Sequence, residues 1–332
     1  MSTVLVVGLG EVGVRAARQL IDTPGIDRVI VAARRLEHAR EVAGALTDGA
    51  EPCRLGRDDP FPAGVDAIVS AVPGNADPEL ARRAVAAGIS YASCGDRDAT
   101  LRALLALDAD ARSHGTRVVV GCGLAPGLSD VLAQHAVGAI DAVDELHVAR
   151  WGVAGPESAS EARRAQREPA REWRDGALVH DKHRHAQLIW FPDPVGAREC
   201  ELVDTGVELL VAAHPGAGRI TSRLGVPIVR RFTPPGRRDP GDAWGAVRVE
   251  VWGWRGTARA SVVYGVIERT AVAAGTVLGV TGAVLAGALP TVAAPVTPGA
   301  AGLRAAVDPV ALLAELARRG VKAAAFEGVA VA

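Results

Sequence analysis

The feature that most constrains the fold is a glycine-rich loop that directly follows a short apolar run. Residues 3–7 (TVLVV) have the composition of a parallel strand covered on both faces, and residues 8–13 (GLGEVG) follow at once. In such a loop the first glycine allows a tight turn, the second admits a pyrophosphate, and the third lets a helix pack closely on the strand. This context predicts a dinucleotide-binding unit whose helix N-terminus faces the phosphates.

The end of the second strand indicates which dinucleotide binds. About twenty residues beyond the last glycine, an NAD site usually offers Asp or Glu to the ribose hydroxyls. Here residues 29–32 (VIVA) run into Ala33, Arg34 and Arg35 instead. A guanidinium at this place can pair with a 2′-phosphate, so we predict NADP(H) as the cofactor. The alternative is that both arginines are solvated residues of an arginine-rich chain.

Composition and charge narrow the class of protein and of partner. The 332 residues are 49% hydrophobic and 23% charged, so the chain can bury a large core and is expected to form two lobes. A formal net charge of −1 provides no electrostatic footprint for nucleic acid, which favours a small-molecule substrate. The chain enters a strand without an apolar leader, and its four cysteines are scattered. We therefore expect a reduced, cytoplasmic protein.

An uncharged segment, residues 271–296, is long enough for a transmembrane helix. It consists mainly of Ala, Gly, Thr and Val, contains Pro290 and Pro295, and lacks flanking aromatic anchors. Gly275 and Gly279 lie four residues apart, which favours close backbone packing. We predict a buried helix, either under the first domain or at a subunit interface, and no membrane span.

Strand and helix patterns alternate through the first 140 residues, which predicts a doubly wound parallel sheet. Further strands are predicted at residues 65–72, 89–93 and 116–120. Ligands bind at the carboxyl ends of such strands, so the loops that follow them should converge on the cofactor. The predicted cofactor contacts are Gly8, Gly10, Glu11, Val12, Gly13, Arg34, Arg35, Ala71, Val72, Pro73, Cys94, Gly95, Gly123 and Pro126.

Several of these motifs occur together in one known family. The glycine loop, the Ala-Arg end of the second strand, residues 87–91 (AGISY) before Cys94-Gly95-Asp96, and residues 121–127 (GCGLAPG) resemble the NADP-binding domain of the saccharopine dehydrogenase-like reductases. The resemblance covers the first 140 residues. Beyond them, residues 265–270 (GVIERT) and a closing helix around 310–320 are also similar to that family.

The resemblance implies an α/β fold: a Rossmann doubly wound parallel sheet, an inserted α/β second domain and a C-terminal helical return to the first domain. It places the NADP-binding domain at residues 1–140, the inserted substrate and oligomerisation domain at 141–265, and the returning helices at 266–332. It also implies reduction of an imine formed between an amine and a carbonyl compound, or the reverse oxidation. We expect a homodimer.

The second half of the chain contains fewer motifs. A strand is predicted at residues 145–152, and residues 246–252 and 258–264 read as a hairpin with its turn at 252–256. The charged residues 156–174 and the Pro/Gly/Arg-rich residues 233–242 are predicted to be surface or lid elements.

A dense polar cluster, residues 180–185 (HDKHRH), allows three interpretations. It could hold a metal, present acid/base and anion-binding groups to a substrate, or be a solvated loop. No two cysteines lie within the spacing of a zinc loop, and a phosphate-cradling Gly-Lys-Ser/Thr loop is also missing from the sequence. Because the cysteines lack this spacing, we predict no metal site.

The sequence also excludes the mechanism of a short-chain dehydrogenase, because Tyr91 and Tyr264 lack the lysine four residues on that this mechanism needs.

Hydride transfer to an imine requires alignment of the substrate and a proton source, because the nicotinamide carries the chemistry. The predicted catalytic acids are Asp96, Asp130, His147 and Glu268. The alternatives are that Asp130 belongs to the first turn of a helix and that His147 fills a strand face. Cys94 could be a nucleophile or a small buried thiol. The predicted substrate contacts are Arg150, Trp173, His183, Arg231 and Tyr264.

The sequence features predict an NADP(H)-dependent oxidoreductase, and the resemblance implies that it reduces a C=N bond in an amino-acid-derived or amine substrate. One alternative is a C=O or C=C reductase on the same scaffold. Another is a sensor or scaffold protein that binds NADP without turnover, since the fold alone permits this.

Overall fold

The computed structural model describes residues 2–46, 49–181, 185–227, 244–295 and 297–328. The chain divides into two compact units. Unit 1 comprises Met1–Gly123 and Ala271–Arg319, and unit 2 comprises Leu124–Thr270 and Gly320–Ala332. The chain thus leaves unit 1 earlier than the predicted boundary at residue 140 and re-enters it at Ala271.

Strands alternate with helices through unit 1, whereas strands dominate unit 2. The strands, in chain order, are β1 (Thr3–Val7), β2 (Arg28–Ala33), β3 (Glu51–Arg54), β4 (Ala67–Ser70), β5 (Ser90–Ser93), β6 (Arg117–Val120), β7 (Ala142–Trp151), β8 (Ala170–Arg174), β9 (Ala177–Asp181), β10 (Gln187–Trp190), β11 (Ala197–Val203), β12 (Arg219–Gly225), β13 (Gly245–Arg255), β14 (Ala258–Glu268), β15 (Gly299–Gly302) and β16 (Ala323–Gly328). The helices are α1 (Glu11–Ile21), α2 (Leu36–Ala45), α3 (Ala76–Ala86), α4 (Asp98–Leu105), α5 (Asp108–Ser113), α6 (Leu128–Val137), α7 (Pro156–Ala165), α8 (Val207–Ala213), α9 (Thr270–Leu285), α10 (Leu303–Ala306) and α11 (Pro309–Arg318).

The sheet of unit 1 is parallel and doubly wound. Within the described residues it has seven strands in the order β3-β2-β1-β4-β5-β6-β15. Its central strands are apolar along their length because helices cover both faces, and Val4, Leu5 and Val6 of β1 are fully buried. The strand order reverses between β1 and β4, and this is where such sheets bind dinucleotides. The predicted α/β fold class is confirmed.

The apolar segment that follows unit 2 forms the buried helix α9. A Cβ on Gly275 would lie 2.6 Å from the carbonyl oxygen of Val12, and one on Gly279 would lie 2.9 Å from that of Ala16. The two glycines therefore let α9 lie directly on the backbone of α1, as one of the two predicted placements required. In the described part of the chain no helix is long and apolar enough to cross a membrane.

The C-terminal return contains more than the predicted helices. Strand β15 extends the sheet of unit 1 beside β6, and β16 pairs with β14 in unit 2. The helix α11 is fastened to α1 by Arg319, whose guanidinium donates to the carbonyl oxygen of Gln19 at 3.1 Å and to Oγ1 of Thr23 at 3.0 Å. The same guanidinium donates to Oε1 of the buried Glu315 at 2.6 Å.

Unit 2 is built on a mixed sheet with the strand order β10-β11-β12-β7-β13-β14-β16, and β8 and β9 branch from β12. The pair β12–β7 is parallel, whereas β13 and β14 form the predicted antiparallel hairpin. The predicted turn at residues 252–256 is wrong, because β13 continues to Arg255. Gly253 lies inside the strand at a bulge, where a Cβ would lie 2.0 Å from the carbonyl oxygen of Ala142.

Residues 156–174, predicted as a surface or lid element, have regular secondary structure. They form α7 and then β8, which pairs with β12 and β9. Ala162, Ala170 and Glu172 are buried, whereas the other residues of the segment are exposed or half-buried, so it is a surface element with regular secondary structure. Residues 233–242 lie outside the described residues.

The two faces of the unit 2 sheet differ in character. Helix α6 packs on β13, β14 and β7. On that face Val148 pairs with Val249, which in turn pairs with Tyr264, and the Tyr264 ring stacks 5.2 Å from that of His135 in α6. On the opposite face His147 pairs with Glu250 and Thr221 in the strand register. That second face is polar.

Candidate functional site

A large cleft opens at the carboxyl ends of β1, β2 and β4, where the strand order reverses. Its volume is about 1070 Å³. The glycine loop, the end of β2 and the loop after β4 line it, including Gly8, Leu9, Arg34, Arg35 and Pro73. These are the loops in which the sequence predicted the cofactor contacts.

Each of the three glycines in the first loop is needed for a different structural reason. Gly8 has φ +91°, and a Cβ there would lie 2.6 Å from the carbonyl carbon of Ala71. A Cβ on Gly13 would lie 1.9 Å from the carbonyl oxygen of Gly8, so this glycine allows α1 to pack on the loop. A Cβ on Gly10 would meet no atom within 4 Å. Gly10 thus leaves open space at the N-terminus of α1, as the approach of a pyrophosphate requires.

Arg34 and Arg35 line the cleft with exposed side chains. Among the described residues neither guanidinium forms an ion pair or a hydrogen bond, whereas Arg28 at the other end of β2 is bound to Glu51 at 2.6 Å. A pair of guanidinium groups with no protein partner fits a 2′-phosphate. The residues present therefore fit NADP(H) in both the pyrophosphate and the ribose part of the cleft.

Two further arginines in this cleft were missed by the sequence analysis. Arg57 is bound to Glu79 at 2.7 Å. Arg83 donates to the carbonyl oxygens of Arg57 and Asp59, and its guanidinium lies 4.8 Å from the ring centroid of Phe61. These contacts hold Arg83 in place, so it shapes the wall of the cleft and adds positive charge to it.

The sequence analysis also missed a buried carboxylate that is hydrogen-bonded to the ends of two neighbouring strands beside the cleft. Asp77 in α3 is fully buried, and its Oδ1 accepts hydrogen bonds from Ser70 Oγ at 2.5 Å and from Tyr91 Oη at 2.6 Å. Its Oδ2 accepts one from Ser93 Oγ. Burial raises the pKa of Asp77, and the three hydroxyl donors oppose that rise.

The two serines of this network also hold the loops that follow their strands. Ser70 Oγ accepts a hydrogen bond from the backbone N–H of Val72 at 3.3 Å, and Ser93 Oγ accepts one from that of Gly95 at 3.0 Å. Each hydroxyl therefore joins Asp77 to a loop with predicted cofactor contacts. The sequence signal was a serine at the end of each of two neighbouring strands.

The geometry around Cys94 favours the predicted alternative of a small thiol. Desolvation raises the pKa of Cys94, and Asp77 raises it further. Burial also raises the pKa of Cys122, to about 12, and the backbone N–H of Cys122 donates to the carbonyl oxygen of Ser93 at 2.7 Å. Both sulfurs are therefore protonated at neutral pH, which makes them poor nucleophiles.

The predicted catalytic acids occupy dissimilar positions. Asp96 is half-buried in the loop between β5 and α4 of unit 1. In unit 2, Asp130 is buried, and its Oδ2 accepts a hydrogen bond from the backbone N–H of Gly127 at 2.5 Å. This carboxylate caps the N-terminus of α6, as the helix alternative for Asp130 required. Glu268 ends β14, and its Oε1 accepts a hydrogen bond from the N–H of Arg269 at 2.7 Å.

His147 lines a polar cleft of about 270 Å³ on the sheet face opposite α6. Its Nδ1 lies 2.8 Å from Oγ1 of Thr221, and its Nε2 lies 2.9 Å from Oε2 of Glu145. Burial lowers the pKa of His147 and outweighs the opposing effect of Glu145. The imidazole is therefore neutral at neutral pH.

The predicted substrate contacts of unit 2 do not gather around His147. Arg150 projects from the other face of β7, where its Nη1 donates to the carbonyl oxygen of Ala125 at 2.7 Å. Tyr264 also lies on that other face, and Trp173 in β8 donates through Nε1 to the carbonyl oxygen of Ala217 at 3.0 Å.

The remaining two predicted substrate contacts, His183 and Arg231, lie outside the described residues. So does part of the cluster at residues 180–185. Over the described ranges, no group of three or more His, Cys, Asp or Glu residues could hold a metal ion.

Comparison with known proteins bears on the fold. The family described as shikimate / quinate 5-dehydrogenase matches residues 1–89. No curated protein matches the chain. Among solved structures, apo saccharopine dehydrogenase (L-Glu forming) from Saccharomyces cerevisiae has a TM-score of 0.76 at 15% identity, covering 99% of this chain and 100% of that one. The chain has the fold of saccharopine dehydrogenase.

Two other dehydrogenases resemble it less closely. A variant of meso-dapdh from Clostridium tetani with DAP has a TM-score of 0.55 at 11% identity, covering 91% of this chain and 94% of that one. A probable dehydrogenase from Thermotoga maritima has a TM-score of 0.52 at 14% identity, covering 98% of both chains. At such identities the likeness is one of fold, and at that level the resemblance predicted from the sequence is confirmed.

Proposed function

We propose that the protein is an NADP(H)-dependent oxidoreductase that reduces an imine of an amino-acid-derived or amine substrate. The observation that carries this proposal is the cleft of unit 1, which combines an open glycine loop with two arginines that have no described protein partner. The dehydrogenases that share the fold support an oxidoreductase activity. The names of two of them, saccharopine dehydrogenase (L-Glu forming) and meso-dapdh with DAP, support the C–N assignment.

The residues of the cleft would divide the cofactor between them. The loop at Gly8, Gly10 and Gly13 would receive the pyrophosphate at the N-terminus of α1, and Arg34 with Arg35 would pair with the 2′-phosphate. The loops held by Ser70 and Ser93 would form the next wall of the cleft. When bound, the nicotinamide supplies the hydride.

The protein must also keep the substrate nitrogen protonated so that it accepts hydride. Asp96 and Glu268 are the proposed proton donors, because Asp96 is half-buried in the loop after β5 and Glu268 is half-buried at the end of β14. Asp130 is engaged in capping α6, and His147 is a neutral imidazole on the polar face of the unit 2 sheet.

The test is the loss of NADPH absorbance in the presence of paired amines and carbonyl compounds. We expect consumption that requires both partners of a pair, and a slower reaction with NADH. Consumption with a carbonyl compound or an enone alone would favour a C=O or C=C reductase. Binding of NADPH without consumption by any substrate class would favour a sensor. The homodimer and the cytoplasmic location stay predictions, the first to be checked by sedimentation.

A further inference from the structure

The cleft of unit 1 extends beyond the residues to which the proposed function gives a part of the cofactor. There the glycine loop receives the pyrophosphate, and Arg34 with Arg35 receives the 2′-phosphate. The rest of the lining comes from the loop after β3 (residues 55–61) and from α3 with the residue before it, and includes Leu55, Arg57, Asn75, Glu79, Leu80 and Arg83. The adenine ring is the part of NADP(H) that still lacks a partner.

This remaining part of the cleft combines buried apolar side chains with exposed charged ones. Leu55 and Leu80 are buried, whereas the side chains of Arg57 and Glu79 are 74% and 37% exposed. A purine base has a matching character, because its faces can stack and its edge carries hydrogen-bond donors and acceptors. The lining therefore suits a flat base better than a further phosphate.

Arg57 is oriented by an ion pair at one edge of its guanidinium. Its Nε donates to Oε1 of Glu79 at 2.7 Å. The N–H groups of a guanidinium lie in its plane, so a carboxylate at the edge leaves both flat faces open. In the described chain no aromatic ring stacks on Arg57, whereas one face of Arg83 is covered by Phe61. Arg57 thus presents a flat cationic surface whose orientation Glu79 restricts.

The loop that carries Arg57 is fastened to α3. The guanidinium of Arg83 donates to the carbonyl oxygens of Arg57 and Asp59. The same guanidinium lies 4.8 Å from the ring centroid of Phe61, also in this loop. Glu79 and Arg83 are four residues apart in α3 and lie on one face of the helix. One helix face therefore holds both the side chain and the backbone of Arg57.

We propose that the guanidinium of Arg57 stacks on the adenine ring of the cofactor, and that Arg83 is a positioning residue that holds the loop of Arg57 in place. A planar guanidinium stacks favourably on an aromatic ring. This assignment rests on the proposed function, because it takes NADP(H) as the ligand. Adenine is common to NADPH and NADH, so stacking should strengthen the binding of both, whereas a phosphate contact of Arg57 would favour NADPH alone.

The first experiment measures binding of NADPH, NADH and 2′,5′-ADP by calorimetry, without substrate and at constant ionic strength. All three ligands contain adenine. Arg57→Lys keeps the charge but loses the flat faces, so it should weaken the binding of all three by a similar factor, roughly fivefold. Arg57→Leu should weaken the binding of NADH to a similar extent. A phosphate contact would instead survive in Arg57→Lys, because lysine also binds phosphate.

Arg83 should respond differently to the same kind of substitution. Arg83→Met should weaken the binding of the three ligands by roughly threefold or more, because the loop loses its hydrogen bonds to α3. Arg83→Lys retains donors for the carbonyl oxygens and should restore part of the affinity. Hydrogen exchange in residues 55–61 reports the order of the loop directly. It should increase in Arg83→Met but not in Arg57→Lys.

The matched control is Arg82→Met. Arg82 precedes Arg83 in α3, is exposed, and does not line the cleft. Its replacement should change neither the three affinities nor the hydrogen exchange of the loop.

The proposal would be overturned by unchanged NADH affinity in Arg57→Lys, by a loss in Arg57→Leu that is confined to NADPH and 2′,5′-ADP, or by unchanged binding in Arg83→Met. Each of these results would leave the proposed function intact. Failure of the unchanged protein to bind any of the three ligands would refute the cofactor assignment and this proposal with it. Cofactor binding without reduction of any imine would contradict only the proposed function.

Discussion

At the scale of single residues, the cleft of unit 1 contains some residues that the fold itself requires and others to which the described structure gives no such role. Gly8 and Gly13 are required by contacts of 2.6 Å and 1.9 Å that any side chain would make with the backbone. In the described part of the chain, a Cβ on Gly10 would meet no atom within 4 Å, and the side chains of Arg34 and Arg35 form no hydrogen bond or ion pair. This contrast supports the proposal that the loop and the two arginines bind a ligand.

The cofactor preference can be tested on two of these residues. We expect the unchanged protein to bind NADPH more tightly than NADH. The variant Arg34→Ala with Ala33→Asp should level or reverse that preference, because a guanidinium is lost and a carboxylate for the ribose hydroxyls is gained. Fluorescence titration with both cofactors measures the two affinities.

The control for this experiment is Arg28→Ala on the same strand. Arg28 is bound to Glu51 at the opposite end of β2, so its loss should leave the ratio of the two affinities unchanged. Equal affinities for NADPH and NADH in the unchanged protein would contradict the 2′-phosphate assignment.

At the scale of elements, two devices hold the helices of unit 1 against its sheet. One is the Asp77 network, which joins α3 to the ends of β4 and β5. The other is the pair Gly275 and Gly279, which brings α9 onto α1. The first is polar and directional, and the second depends only on the absence of side chains.

Removal of the Asp77 carboxylate should destabilise unit 1. In Asp77→Ala the hydroxyls of Ser70, Tyr91 and Ser93 lose their shared acceptor in a buried place, which should lower the free energy of unfolding by about 2–4 kcal/mol. The same variant should bind NADPH more weakly, because the loops after β4 and β5 lose their anchor. Urea unfolding and cofactor titration measure the two effects.

An exposed aspartate provides the control for Asp77→Ala. Asp110 in α5 is exposed, and Asp110→Ala should change the free energy of unfolding by no more than about 0.5 kcal/mol. A similar small change in Asp77→Ala would mean that water replaces the carboxylate without loss, and the network would then not hold the loops.

Replacement of a helix glycine by alanine should have opposite effects at the contact between α9 and α1 and at an open position of α2. In Gly279→Ala the new methyl group would lie 2.8 Å from Cβ of Gln19, so the two helices must separate, at a cost of roughly 1–3 kcal/mol. In Gly44→Ala of α2 the methyl group meets nothing within 4 Å, and the better helix propensity should stabilise the protein by up to about 1 kcal/mol. Chemical denaturation of both variants checks the signs, and stabilisation by Gly279→Ala would contradict the packing described here.

At the scale of the whole molecule, the sequence predicted the Rossmann sheet more fully than the rest. Strands β1, β4 and β6 are apolar runs followed by glycine or proline loops, so the sequence alone indicates them. Strand β15 (Gly299–Gly302, GAAG) carries none, since it forms because β6 offers an open edge and Asp108 Oδ1 accepts a hydrogen bond from the N–H of Ala300 at 2.9 Å. Strand β8 was not predicted because it lies in a charged segment. Its buried Glu172 is neutralised by Arg174 on the same strand and by Arg219 on β12, and the pairing with β12 is not visible in the local sequence.

The candidate site shows the same limit of prediction from local sequence. The sequence located the glycine loop and the arginines, which depend on local order along the chain. It missed Asp77, whose importance comes from its burial and from hydroxyl partners on other strands. It also grouped His147 with Arg150, although neighbours an odd number of residues apart on a strand face opposite sides of the sheet.

The contact by which the returning helix α11 is attached to α1 should stabilise unit 1. Arg319 lies 300 residues from Gln19, and its half-buried guanidinium joins α11 to α1 and to Glu315. In Arg319→Ala the carboxylate of Glu315 loses its most buried partner, which should cost about 3 kcal/mol in urea unfolding and increase hydrogen exchange in α1. Arg318 also pairs with Glu315, but its side chain is 71% exposed, so Arg318→Ala should cost less than about 1 kcal/mol. Equal losses in the two variants would show that the charge of Glu315, rather than the attachment of α11 to α1, determines the stability.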